Sequence, residues 1–330
     1  MSSLDPVGVE ARKDFDPWRH RCALALSAAT MVLLIAGGLV TSTGSGLAVP
    51  DWPLSFGGFF PRMVGGVLFE HGHRLIAGTV GLMTLGLTVW FGRSAARPGV
   101  RLIAILALGA VFAQSLLGGL TVLLRLPASV SVAHACLAQA FFCLTVLLAL
   151  STSPRFALEA TPPLAADGAP PLRVLAAAAT GLVYTQLILG AIMRHTGAGL
   201  AIPDVPLAFG RLVPPLLSFA IAIHYAHRVG AFVTAIAVGW TAARVLRSHR
   251  DRSGLRRPAL LALALLVAQI ALGLTTVATR LAVLPATAHV VTGALLLATC
   301  LVLTVRAARL TARRPEAELR SRAPLEEVTA

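Results

Sequence analysis

Four histidines stand in two pairs, His73 with His134 and His227 with His289, and the second pair repeats the first after 154 and 155 residues. A neutral imidazole offers one lone-pair nitrogen to a metal. Two imidazoles from facing helices of a four-helix bundle are enough to hold a heme iron from both axial sides. They are too few for zinc, which asks for three or four protein ligands. Arg74 and Arg228 each follow one of these histidines. A guanidinium fork matches a carboxylate, so both are candidate partners of heme propionates; carbonyl capping is the alternative. Glu70 lies three residues before His73, on the same helix face, and its repeat counterpart is His224. One half therefore has a carboxylate beside its histidine pair, able to accept a proton or stabilise a cation, and the other half lacks it. A structural ion pair of Glu70 with Arg74, four residues on, is the competing reading. His71 and His224 read as supporting rather than axial residues. His20, His195 and His249 fall in tails or loops and are expected to be solvated.

The elements that position these residues are membrane helices. Of 330 residues, 56% are hydrophobic and 13% charged. About a quarter charged is usual for a soluble domain, so a cytosolic enzyme or a disordered chain is excluded. Eight apolar stretches, about 21–41, 62–92, 101–124, 130–151, 172–193, 215–246, 258–279 and 285–309, are each long enough to cross roughly 30 Å of hydrocarbon. Twenty-one of the 28 basic residues fall on one side, in the two tails and alternate loops, against five on the other: Arg62, Arg125, Arg194, Arg211 and Arg280. The positive-inside rule then puts both termini in the cytoplasm. The net charge of +14 is thus topology and lipid contact, not nucleic-acid binding. The N-terminal tail carries Asp5, Glu10, Asp14 and Asp16 and has no apolar core, so a bacterial cytoplasmic (inner) membrane is the expected location. Cys22, Cys136, Cys143 and Cys300 all lie in the stretches, with no loop cysteine to form a disulfide.

The chain is internally duplicated. TGSGLAVPDWPLSFG at 43–57 matches TGAGLAIPDVPLAFG at 196–210 in 11 of 15 positions. Gln114, Gly118 and Arg125 align with Gln269, Gly273 and Arg280. The expected fold is all-α and polytopic, two tandem four-helix bundles related by a pseudo-two-fold axis along the membrane normal. The divisions are a tail at 1–20, halves at 21–151 and 172–309, a proline-containing linker at 152–171, and a tail at 310–330. Asp51 and Asp204 sit in Pro-Asp-x-Pro turns, where an Asx hydrogen bond is the simpler role. Helix arithmetic places all four paired histidines near the external boundary of the membrane.

At the duplicated loop, the Glu70-His71-Gly72-His73-Arg74 segment and the four paired histidines, the chain resembles the heme A synthase family of cytochrome oxidase assembly. The resemblance covers about 25–309. It implies oxidation of the C8 methyl group of heme O to the formyl group of heme A, through hydroxylated intermediates, with electrons passed to an acceptor. It further implies heme b on His227 and His289, the substrate heme on His73 and His134, and Glu70 as the catalytic carboxylate. Oxygen is expected from water and electrons through heme b. A heme O synthase is the natural supplier, and heme O, with its farnesyl tail, is expected to enter from lipid. The electron acceptor and homo-oligomerisation stay open. The cysteine pair that some members carry in external loops is missing here. Two rivals remain from the residues alone: a di-heme b-type electron-transfer cytochrome, and a membrane heme transporter or chaperone.

Overall fold

The computed structural model describes residues 16–94, 96–154, 156, 169–215 and 217–312. Most of the sequence-defined tails, and Pro162 and Pro163 of the linker, lie outside the described residues. Eight helices are long and apolar enough to span a membrane. They are α1 (Pro17–Ser42), α2 (Gly66–Arg93), α3 (Pro98–Leu123), α4 (Ala128–Ser151), α5 (Leu172–His195), α6 (Phe219–Ser248), α7 (Ser253–Ala278) and α8 (Val283–Ala312). Among the described residues there is no strand, and the protein is a multi-pass membrane protein.

Local chemistry sets the helix ends. Asp16 caps α1 by accepting from the N–H groups of Trp18 and Arg19, with Pro17 in the first turn. Ser218 caps α6 in the same way through Ile221. At the other end of α1, the Thr43 hydroxyl donates to the Leu39 carbonyl and Gly44 takes φ +67. Thr196 and Gly197 repeat this after α5, with φ +70 at the glycine. The Thr-Gly that opens each copy of the duplicated loop is therefore a helix stop, because glycine enters the left-handed region without a side-chain clash.

α1 touches α2 and α4, α3 touches α2 and α4, and α5 to α8 contact one another in the same order. α1–α4 close on Leu26, Val80, Phe91, Ala104, Phe141 and Leu148. The second set closes on residues of smaller average size, including Ala176, Ala242, Ala259 and Ala307 with Leu255 and Leu303. Small residues let helix backbones approach where lipid provides no hydrophobic drive. The two sets meet at a seam where α4 contacts α5 and α8, and α1 contacts α8. Phe142 of α4 packs there with Ala294 and Ala298 of α8, flanked by Met31 and Leu34 of α1. Large apolar side chains cover the outside, such as Leu82 (72% exposed) and Val267 (68%). In water such a surface would aggregate; in hydrocarbon it is the solvated face.

Three histidines differ from the sequence expectation. His20 is half-buried in α1, with Nδ1 3.2 Å from the Thr152 hydroxyl. His195 is the half-buried last residue of α5, and His249 is buried at the end of α6. The helices outrun the apolar stretches at these ends, so residues counted as tail or loop still pack.

Candidate functional site

The duplicated loops fold back over the helix ends and are pinned there by arginine. Arg74 on α2 donates through Nη1 to the carbonyls of Asp51 (2.7 Å) and Leu54 (2.9 Å). Its Nη2 reaches the Val49 carbonyl at 3.3 Å and Glu70 at 2.6 Å. Arg228 on α6 repeats the pattern on Asp204, Leu207 and Ile202 at 2.8, 2.9 and 2.9 Å. Carbonyl capping is thus the observed work of both arginines. They still differ in what is left. The bonds to Arg74 engage four donors and leave Nε–H, whereas Arg228 keeps Nε–H and one Nη2–H.

Asp51 stabilises its own turn. Its carboxylate accepts from the N–H groups of Phe56 (2.7 Å) and Gly57 (2.8 Å), and Asp204 does the same with Phe209 and Gly210 at 2.8 and 2.9 Å. Both turns place two consecutive residues at positive φ. The bonds from Gly57 and Phe56 hold the Asp51 carboxyl below the ordinary aspartate range, and those from Gly210 and Phe209 do so for Asp204. These are the turn roles read from the sequence.

The structure brings the histidines together pairwise. His73 and His134 are close enough for a charge on one to act on the other, and so are His227 and His289. Each ring lies against a glycine of the neighbouring helix. A β-carbon on Gly37 would come 3.2 Å from His73 Nε2, and one on Gly118 3.1 Å from His134 Cε1. The distances for Gly190 to His227 and Gly273 to His289 are 3.0 and 3.1 Å. Gly118 and Gly273 were visible as repeat positions; Gly37 and Gly190 were missed, though they too match across the repeat.

Glutamines contact two of the rings and the backbone of a third histidine. His289 Nδ1 stands 3.1 Å from the Gln269 carbonyl oxygen, which can only accept, so the proton is on Nδ1 and Nε2 carries the lone pair. That leaves the lone pair on Nε2, 3.3 Å from the Gln269 side-chain amide nitrogen. Gln186 donates to His227 Nδ1 (3.0 Å) and to its carbonyl (2.8 Å), and Gln114 to the His134 carbonyl (2.9 Å). The side-chain carbonyls of all three glutamines and Nδ1 of His134 are buried without a partner. Buried polar groups without partners are rare, and four of the ten such side-chain atoms among the described residues belong to His134 and these glutamines. No group of three or more metal-ligating side chains occurs among the described residues. Two imidazoles, close-packed glycines and orphaned polar atoms fit a planar macrocycle that supplies its own equatorial donors.

Glu70 is buried, with 4% exposure. One carboxylate oxygen accepts from Arg74 and the other from the Val49 N–H at 2.8 Å. His224 occupies the matched place, its Nδ1 between the Ala198 carbonyl (3.1 Å) and the Ile202 N–H (3.3 Å). The structure gives the contacts of a second asymmetry, His71 against Tyr225 in the repeat. His71 is buried against the Ser55 hydroxyl at 2.8 Å with its Nε2 unpartnered, where the other half has Tyr225 and Ala208. Trp52 lies on Gly119, one residue from the glycine facing His134; Val205 replaces it in the other half.

An eight-helix membrane protein with two paired-imidazole sites beneath arginine-pinned loops is the class that this fold and site define. The model of the cytochrome oxidase assembly protein family matches residues 62–301. A heme A synthase of Symbiobacterium thermophilum is 34% identical over 76% of this chain and 83% of its own length. Heme A synthases of Geobacillus kaustophilus and Shouchella clausii are 30% and 29% identical, over 81% and 78% of this chain and 84% and 86% of theirs. The chain belongs to the heme A synthase family.

Proposed function

We propose that this protein is a heme A synthase, an oxidoreductase that converts the C8 methyl group of heme O to a formyl group by successive hydroxylation. The observation that carries the assignment of sites is the asymmetry between the halves: two histidine pairs of like construction, and a carboxylate beside only one. The half at 21–151 receives heme O between His73 and His134. The half at 172–309 holds heme b between His227 and His289. The two are related by a pseudo-two-fold axis along the membrane normal; the reciprocal α1–α8 and α4–α5 contacts, with α4 against α8, support it. Both termini are cytoplasmic, and the membrane is the bacterial inner membrane.

Heme b, when bound, would supply one-electron redox chemistry. The chain's own residues do the rest. His289 presents Nε2 and keeps its proton on Nδ1 through Gln269. Arg228 offers its two remaining donors to a propionate, while Arg74 has only Nε–H for one because Glu70 and the loop take its other donors. Methyl to formyl takes one oxygen atom, here from water, and releases protons and electrons. Glu70 accepts protons or stabilises the developing cation, with Arg74 and the Val49 N–H holding its orientation. A heme O synthase supplies the substrate, and an acceptor takes the electrons.

Purified protein incubated with heme O and an electron acceptor should yield heme A, identified by mass and pyridine-hemochrome spectrum. A stable two-heme protein that never converts heme O would be a plain b-type cytochrome instead. The glycine cradles give a further check. Leucine at Gly190 should displace the His227 ring and remove most of the b-type heme per protein. Leucine at Gly181, which faces open space on the same helix, should leave the heme content unchanged. Equal heme content in both variants would show that the cradle is not part of the site.

A further inference from the structure

The repeat is broken once more, at the seam. Arg194 and His195 close α5 where Thr41 and Ser42 close α1. Arg194 was counted from the sequence with the loop arginines. The structure puts it half-buried in α5, reaching across to α1: Nη2 donates to the Ser42 hydroxyl at 2.7 Å and to the Gly38 carbonyl at 3.1 Å. The Ser42 oxygen is 2.9 Å from the Thr287 hydroxyl on α8. The Thr287 methyl would lie 3.0 Å from a β-carbon on Gly38. Three helices from both halves therefore meet at Ser42 and Gly38, the two residues that this guanidinium bonds. Gly38 follows the glycine that faces His73, and Thr287 comes two residues before His289. Arg194 is also close enough to His289 for their charges to interact. Its hydrogen bonds go to neutral oxygens, and no carboxylate pairs with it among the described residues. Its positive charge is left uncompensated at the seam.

We propose that Arg194 is a positioning residue that raises the reduction potential of the heme held by His227 and His289. The proposal rests on the placement of heme b in that half. Ferric iron gains one electron to become ferrous, with no bond made or broken and no proton required. The reduced site carries one positive charge fewer, so a fixed cation nearby favours it, and more strongly in a poorly screened interior than in water. A raised potential makes this heme a better acceptor of electrons from the other half. The hydrogen bonds to Ser42 and Gly38 keep the charge at a constant distance.

The test is a redox titration of the purified full-length holoprotein, following the b-type absorbance band. Arg194→Gln should shift the midpoint downward. Arg194→Lys, which keeps the charge, and Ser42→Ala, which removes the hydroxyl's hydrogen bonds to Arg194 and Thr287 but no charge, should stay near the wild-type value. An unchanged midpoint in Arg194→Gln with the band intact would overturn the proposal, as would an equal downward shift in Ser42→Ala. Where Arg194→Gln does not assemble, Ser42→Asp keeps the clamp and neutralises the guanidinium. Its midpoint should fall, and a wild-type value there would be equally fatal. Wild-type protein without a b-type band would instead remove the heme placement on which the proposal stands.

Discussion

Glu70→Gln should stop heme A formation, by at least about 100-fold, while the b-type heme stays bound. Glutamine keeps the shape and one carbonyl oxygen, so an acceptor remains for the Val49 N–H. It loses the charge and with it the ability to take a proton at neutral pH. It also weakens the bond to Arg74, a loss of about 2 kcal/mol for a charged hydrogen bond. Arg74 still holds three loop carbonyls, so the loop should stay in place. The measurement is heme A formed per bound heme b, with heme b content as the control for folding. A variant that turns over normally would leave Glu70 as the structural partner of Arg74 alone. A variant that loses heme b as well would mean that the ion pair serves the whole fold.

His227→Ala and His289→Ala should each abolish the reduced-minus-oxidised b-type band. Each histidine would supply one of the two protein bonds to the heme iron, and alanine offers no donor. The neighbouring glycines cannot substitute, and the glutamine amides beside the rings are poor ligands for heme iron. His73→Ala and His134→Ala should keep the band and lose product. Loss of the band in His73→Ala, with the band retained in His227→Ala, would reverse the assignment of the two halves. Retention in all four variants would mean that these histidines do not ligate a cofactor.

The eight helices were legible because hydrocarbon thickness imposes a minimum apolar length, and every observed span overlaps a sequence-defined one. The histidine pairs were legible because duplication supplied an internal alignment; a single histidine would have carried no such signal. What the sequence could not show is where the chain folds back. For Arg74 and Arg228 spacing leaves propionate pairing and carbonyl capping both open; most of their donors meet carbonyls some 20 residues earlier, in a loop whose path no periodicity encodes. Arg194 was misjudged because the apolar run ends at 193, although the helix continues to His195 and the side chain packs. The Ser55–His71 contact depends on the same loop. Ion pairs and turns within a few residues can be read from spacing, and long-range hydrogen bonds cannot.

α4 carries His134, α8 carries His289, and these two helices touch. The two histidine pairs therefore do not sit in separate rooms; they share a wall. Any change of shape in one chamber displaces a partition that belongs equally to the other. A substitution at Phe142 or Ala294, which pack against each other across the seam, would be felt on both sides. Having doubled its four-helix unit, the chain can vary one chamber only within the limits its neighbour tolerates.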